Sequence, residues 1–205
     1  MFHTRLNFIN RSKDSNDSQI LLFQKNEAMP GAAAVSWRVI ADCKPGQSAS
    51  FKFSRDLTIA ASDSYGTFTE QQPAANRQRF TLTKDATGTK VLTADDSGHP
   101  RSISFVNDLE KDPANVNLYR NGRLVAIAAG VASGREVAFG LSDSLWIGAV
   151  TLVEEGVILH PAIIDSIRQK LILTNIASAD LVMSGGGVGP GAKPFEFALE
   201  NVVYA

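Results

Sequence analysis

Residues 45–61 read PGQSASFKFSRDLTIAA, and residues 133–149 read SGREVAFGLSDSLWIGA. Both stretches begin with a glycine turn and continue into the pattern Leu-x-Ile-x-Ala, which starts at Leu57 and again at Leu145. Apolar residues at every second position place one face of a β-strand on a core. The two stretches therefore predict the same pair of strands, present twice in one chain.

Further segments of the first half match the second half in the same order. The matched segments are residues 6–10 (LNFIN) with 103–107 (ISFVN), 23–26 (FQKN) with 118–121 (LYRN), and 80–83 (FTLT) with 171–174 (LILT). The spacing changes only where turn residues stand, and a loop tolerates insertion because its closure entropy grows slowly with length. We predict a duplicated unit, the alternative being the alternation common to unrelated strands.

The turn residues between these segments indicate the class of fold. Short strands separated at regular intervals by Gly, Pro and Asn are typical of sandwiches and barrels. We predict an all-β fold of two tandem, internally repeated β-sandwich-like lobes packed together. The first lobe covers residues 1–100 and the second covers residues 101–205, with a closing strand near residues 195–200.

Three local features carry their own predictions. Asn121-Gly122 lies between apolar strands and predicts a type I′ hairpin, which needs positive φ at both central residues. Asn10 and Asn107 end matched strands, where an asparagine side chain caps its own backbone. Residues 161–168 fit either a helical turn or two, with Pro161 at its first position, or an irregular connection.

Composition narrows the classes of partner. With 20 basic and 21 acidic residues the net charge is -1, which argues against nucleic acid because phosphate binding needs a concentrated basic field. Near-zero charge also favours self-association. We expect no membrane span, since no run of 18 apolar residues occurs. The opening residues do not resemble a signal peptide, so we predict a cytoplasmic protein, with release by a non-classical route left open.

The usual catalytic motifs are missing from the sequence. It has no Gly-x-Ser-x-Gly elbow, and its three histidines stand at no recognised metal spacing. The glycine-rich residues 185–191 do not form a phosphate loop, because Pro194 and a strand follow where a helix should begin. We therefore expect no enzymatic activity and no cofactor, calcium being the one ion left open.

Calcium is left open because of an acidic loop in the second half. Asp108, Glu110 and Asp112 place carboxylates on alternate residues, as calcium loops do. Lys111 opposes a cation at this place, and the glycine and distal glutamate of the helix-loop-helix form are missing. The other interpretation is a mobile surface loop.

Four aromatic residues are candidates for ligand binding: Trp37, Tyr65, Tyr119 and Trp146. Their rings offer faces on which a sugar or another ring can stack. Packing in the core or between lobes competes with this interpretation and is favoured, because large aromatic side chains dominate core energetics.

Several segments resemble the bacterial rhizosphere-expressed protein family. They are residues 20–24 (ILLFQ), 34–37 (AVSW), the Pro45-Gly46 turn with the following Phe51-x-Phe53 strand, and later residues 147–149 (IGA) and 155–157 (EGV). The resemblance covers about half of the chain and departs from the family in the lengths between these blocks. It implies quorum-regulated expression in soil bacteria and supplies no catalytic residue.

The sequence thus favours a non-enzymatic structural or interaction protein that self-associates through sheet edges or the lobe surface. Edge strands of a duplicated β unit must be covered in some way, and residues 201–205 (NVVYA) are apolar enough to pack on a neighbouring copy. The alternative is a lectin-like module that binds carbohydrate or another small ligand, with calcium assisting.

Overall fold

The chain folds almost entirely into β-strands. The computed structural model describes residues 3–63 and 65–205, and within these ranges it contains one six-residue helix, α1 (Pro161–Ser166), and one 3-10 turn at Gly189–Gly191. The strands are β1 (His3–Asn10), β2 (Gln19–Phe23), β3 (Ser36–Ile40), β4 (Ser48–Ser54), β5 (Leu57–Asp63), β6 (Gln72–Ala74), β7 (Arg79–Lys84), β8 (Lys90–Asp95), β9 (Ile103–Asn107), β10 (Ala114–Arg120), β11 (Arg123–Val131), β12 (Glu136–Phe139), β13 (Ser144–Val150), β14 (Gln169–Ile172), β15 (Ile176–Gly186) and β16 (Lys193–Tyr204). The predicted all-β fold is confirmed.

These strands form four four-stranded sheets in two compact units. Unit 1 takes its described residues from 1–24, 35–55 and 143–205, and unit 2 takes them from 25–34 and 56–142. Unit 1 contains sheet A (β16-β15-β1-β4) and sheet B (β14-β13-β2-β3). Unit 2 contains sheet C (β11-β10-β5-β6) and sheet D (β12-β9-β7-β8).

The predicted lobes of residues 1–100 and 101–205 do not coincide with these units. Each sheet joins one antiparallel strand pair from the first half of the chain to one from the second half. The joining pairs are β1 with β15, β2 with β13, β5 with β10, and β7 with β9. A unit is therefore completed only by strands that are distant in sequence, and local patterning along the chain does not reveal which strands those are.

Aromatic side chains fill the core of unit 1. Trp37 on β3 is buried and meets Phe51 and Phe53 of β4 edge-on, with ring centroids 6.3 and 5.8 Å apart. These contacts link the inner faces of sheets A and B. Leu6 and Phe8, on the same face of β1, are also buried, as the period-two alternation of a half-buried strand requires.

Unit 2 repeats the strand arrangement of unit 1. Sheets A and D each contain one parallel pair at their centre, β1 with β15 and β7 with β9, whereas sheets B and C are antiparallel throughout. Leu6 lies opposite Phe51 in sheet A, and Ile103 lies opposite Phe139 in sheet D. These residues are the ones that the sequence comparison aligned.

Two of the aligned segments take other positions in the sheets. Ile59 and Ile147 are aligned in sequence, and they pair with Leu118 and Leu22 respectively. The residue that matches Leu118 is therefore Leu22 and not the predicted Phe23. Phe80 on β7 pairs with Phe105, and Leu181 on β15 pairs with Phe8, the residue aligned with Phe105. The segment that matches residues 80–83 is therefore 181–184, and not the predicted 171–174. Alternation gives the period of a strand but not its register, which explains both shifts.

Asn10 and Asn107 each cap their own backbone, as predicted. The Asn10 side-chain oxygen accepts from the Ser12 N–H, and that of Asn107 accepts from the Leu109 N–H. Their amide groups donate to backbone carbonyls, Asn10 to Cys43 and Asn107 to Asp112 and Val131. Both side chains are buried, so they hold the chain together where β1 and β9 end.

The structure also decides the predictions for the Asn121-Gly122 hairpin and for residues 161–168. Asn121 and Gly122 both have positive φ, 54° and 72°, as the type I′ hairpin requires. Residues 161–166 are helical, and His160 caps this helix by accepting from the Ala162 N–H. Among the described residues, no helix is long and apolar enough to cross a membrane.

Candidate functional site

The four predicted aromatic residues lie in different environments. Trp37 lies in the core of unit 1, and Trp146 is half-buried and stacks on Phe23. Tyr65 is 89% exposed in unit 2. Tyr119 is half-buried there, and its hydroxyl accepts from the Asn117 amide. Because Trp37 is inaccessible in the core, the four residues do not all serve as one stacking platform.

The predicted calcium loop does not assemble either. Across residues 3–63 and 65–205, no three His, Cys, Asp or Glu side chains approach in a way that could hold a metal ion. Asp112 instead pairs with Lys84 at 3.3 Å, and Asp108 and Glu110 are exposed. The carboxylates of Asp108, Glu110 and Asp112 are therefore not brought together around one point.

A groove lies on the outer face of sheet A, and most of its lining surface is apolar. It encloses about 340 Å³ and has buried Leu6 and Phe51 among its lining. We call it the outer groove. Its polar and charged side chains come from all four strands of the sheet: Arg5, Asn7, Ser50, Lys52, Asp180 and Asn201. Strand alternation turns them away from the core, because Thr4, Leu6 and Phe8 occupy the buried positions of β1.

One row of the outer groove is a continuous chain of hydrogen bonds. The Ser50 hydroxyl donates to Asn7 Oδ1 at 3.1 Å, and the Asn7 amide donates to Asp180 Oδ1, also at 3.1 Å. From the other side, the Asn201 amide donates to Asp180 Oδ2 at 2.7 Å. The row therefore crosses the sheet from β4 to β16, with its amide and carboxylate planes fixed by one another.

A β-bulge places Asn201 in this row. The pairing of β15 with β16 shifts register between Ser178 and Asp180, which face Val203 and Glu200. Asn201 lies in the extra segment with φ of 49°, in the left-handed region that asparagine tolerates. Bulges reorient side chains in this way, and here the result is a second donor to Asp180.

The neighbouring row is cationic. Arg5 on β1 lies directly opposite Lys52 on β4, and both side chains are exposed. Like charges that face each other across strands are destabilising. No ion pair to either residue occurs in the described part of the chain, so this end of the outer groove carries a positive field.

Asp180 is held in its charged form. The hydrogen bonds from Asn201 and then from Asn7 lower the pKa of its carboxyl group below the ordinary value of 3.8, and Arg11 adds a smaller lowering effect. Burial opposes these effects but does not cancel them. At neutral pH the outer groove thus presents one carboxylate beside two cations.

The corresponding face of unit 2 lacks these groups. By strand register, Ser104 stands at the place of Asn7, Ala138 at that of Ser50, and Arg79 at that of Asp180. Arg79 forms an ion pair with Glu136 at 3.5 Å instead of a hydrogen-bonded row. Sheet D therefore forms without an equivalent row.

The sequence contains no local signal for the outer groove. Asn7 and Asp180 are 173 residues apart along the chain, and neither belongs to a recognised motif. Only the parallel pairing of β1 with β15 brings them into contact. Their outward positions in alternating strands are visible in the sequence, but their neighbours are not.

No protein family, curated protein or solved structure matches this chain. The resemblance to the rhizosphere-expressed family therefore stays a prediction from the segments that carry it. Any functional proposal for the chain depends on its own geometry.

Proposed function

We propose that the protein is a non-enzymatic interaction protein that self-associates through the free edge of β16. The observation that carries this proposal is the position and length of that strand. β16 forms an edge of sheet A and is 12 residues long, whereas the other edge strands have three to nine residues. A long edge exposes backbone N–H and C=O groups that a second copy can pair with.

Side chains guard the first part of this edge. Lys193 and Pro194 begin the strand, and both residue types are common guards of sheet edges. The Gln169 side chain then bonds to the backbone of Phe197, accepting from its N–H and donating to its C=O. Residues 198–204 follow without such a cover, and Val203 and Tyr204 are 55% and 72% exposed. This segment is the proposed contact.

The environment of two histidines supports a role without catalysis. Nδ1 of His99 accepts from the Arg101 N–H, and Nδ1 of His160 accepts from the Ala162 N–H, each at 3.2 Å. Both imidazoles thus cap backbone turns. Because Nδ1 accepts, the neutral ring carries its proton on Nε2, whereas the general base of a Ser–His pair needs an unprotonated Nε2.

We also infer that the two halves of the chain derive from one duplicated unit. The agreement extends beyond strand order to side-chain bonds between sheets. Gln72 on β6 donates to the Leu92 carbonyl of β8, and Gln169 on β14 donates to the Phe197 carbonyl of β16. The same glutamine role at the same place in both units supports duplication over unrelated β-alternation.

Self-association is tested by sedimentation velocity over a wide range of protein concentration. The wild-type chain should show a concentration-dependent dimer, and Tyr204→Lys should shift the equilibrium to monomer because a charge on the edge strand disfavours pairing with a second strand. Ile172→Lys is the matched control, since Ile172 is a 56% exposed apolar residue on the edge strand β14. A wild-type monomer at all concentrations, or equal effects of the two variants, would contradict the proposal.

A further inference from the structure

The geometry of the outer groove points to a function beyond self-association: we propose that it binds an acidic saccharide, a sugar that carries a carboxylate or sulfate group. The site lies on the face of sheet A, with Asn201 of the edge strand β16 at one end of it. Its two rows supply two kinds of recognition, and each row matches one part of such a ligand.

The hydrogen-bonded row suits the hydroxyl groups of a sugar. Ser50, Asn7, Asp180 and Asn201 offer amide N–H donors and carboxylate or amide acceptors in planes that are already fixed. Fixed polar groups lose little conformational entropy when a ligand binds. The row crosses four strands, which places its ends about 14 Å apart, so it accommodates more than one ring.

The cationic row suits the acidic group. Arg5 and Lys52 face each other at the adjacent position of the same two strands. Their mutual repulsion is relieved when an anion binds between them, and an arginine guanidinium recognises a planar carboxylate or a sulfate through paired N–H groups. A neutral sugar would leave this repulsion in place, so we expect the charged ligand to bind more tightly.

Other ligand classes fit the outer groove less well. Phe51, the aromatic residue of the lining, is 6% exposed, so bases of a nucleic acid find no stacking surface there. The Asp180 carboxylate repels closely spaced anionic groups, which disfavours a polyphosphate. The carboxylates of an acidic oligosaccharide are instead separated by whole sugar rings. An extended peptide typically adds to a sheet edge and not to its face.

The proposal is tested with trigalacturonate, its methyl ester and sodium sulfate as probes in isothermal titration calorimetry. The methyl ester keeps the hydroxyl groups and removes the charge, and sulfate supplies the charge without the sugar. We expect saturable binding of trigalacturonate, at least about tenfold weaker binding of the ester, and no saturable binding of sulfate. A sulfated disaccharide serves as a second acidic probe.

Variants separate the two rows. The double variant Arg5→Gln with Lys52→Gln should reduce trigalacturonate affinity to that of the ester, whereas Asn7→Ala should weaken both ligands. Arg79→Gln, on the corresponding face of sheet D, is the matched control and should change neither. Thermal unfolding of each variant shows that the fold is kept.

Four results would overturn the proposal: no saturable binding of either acidic probe, ester binding equal to acid binding, sulfate binding equal to that of trigalacturonate, or affinities that the double variant leaves unchanged. Asn201 belongs both to the outer groove and to the proposed edge contact, so the titrations are repeated with Tyr204→Lys, in which the edge contact is blocked. Failure of one proposal is therefore distinguishable from failure of the other.

Discussion

At the scale of single residues, Asn10 and Asn107 show how much one polar side chain contributes in this fold. Each is buried, accepts from a backbone N–H two residues later and donates to one or more backbone carbonyls. Replacing either by alanine leaves buried donors and acceptors without partners, at a cost larger than that of the lost hydrogen bond itself.

We therefore expect Asn10→Ala and Asn107→Ala each to lower the free energy of unfolding by about 1–3 kcal/mol. Urea denaturation followed by fluorescence measures the change. Asn16→Ala is the control, because Asn16 is exposed and surface substitutions usually change stability by less than about 0.5 kcal/mol. Effects on Asn10 and Asn107 no larger than on Asn16 would contradict their proposed roles.

Asp63 gives a prediction about pH. Its carboxylate pairs with the Lys90 ammonium group and accepts from the Tyr65 and Thr67 N–H groups. The Lys90 hydrogen bond, followed by that of Thr67, lowers the pKa of Asp63 below 3.8. A lowered folded-state pKa stabilises the protein above the unfolded-state value, and this stabilisation is lost as pH falls through the folded value.

Asp63→Asn should therefore be less stable than wild type at neutral pH, and the difference should shrink as the pH is lowered below about 4. Urea midpoints measured at a series of pH values provide the test. Asp42→Asn, at an exposed aspartate, should show a much smaller difference. A gap between wild type and Asp63→Asn that stays constant into acid would contradict the role of the Asp63–Lys90 pair.

At the scale of elements, two glutamines link the sheets within their units. Gln169 makes two hydrogen bonds to Phe197, whereas Gln72 makes one to the Leu92 carbonyl. With about 1 kcal/mol for each intramolecular hydrogen bond, Gln169→Ala should cost about 2 kcal/mol and Gln72→Ala about 1 kcal/mol. Chemical denaturation measures both, and a larger cost at Gln72 would contradict the assignment.

The strands themselves were largely predictable from the sequence, and their partners were not. The Asn121-Gly122 hairpin and the apolar alternation of β5 and β13 depend on residues close in the chain, so the local pattern contains the information. The position of β14 depends on its pairing with β13 at the edge of sheet B. The apolar pattern of residues 171–174 is equally compatible with an interior strand, which explains the misplacement.

The outer groove marks the limit of sequence analysis in the same way. The aromatic candidates depend on residue type alone, and Trp37 is buried in the core. No sequence pattern singles out Asn7, Asp180 and Asn201, because short polar residues on strands are usually solvated. They are brought into one hydrogen-bonded row by a parallel pairing and a bulge, and neither feature has a sequence signature here.

At the scale of the whole molecule, each half of the chain is incomplete by itself. Residues 1–100 contain the pairs β1–β4, β2–β3, β5–β6 and β7–β8, and the second half contains β9–β12, β10–β11, β13–β14 and β15–β16. Isolated two-stranded pairs are at best marginally stable in water. The four central pairings that turn them into sheets all join the two halves.

Separate expression of residues 1–100 and 101–205 tests this account most directly. We predict that neither fragment shows cooperative unfolding or dispersed amide NMR signals when alone, and that mixing the two restores both properties, because every sheet then regains its central pairing. Cooperative unfolding of either fragment by itself would contradict the claim that each unit is built from both halves of the chain.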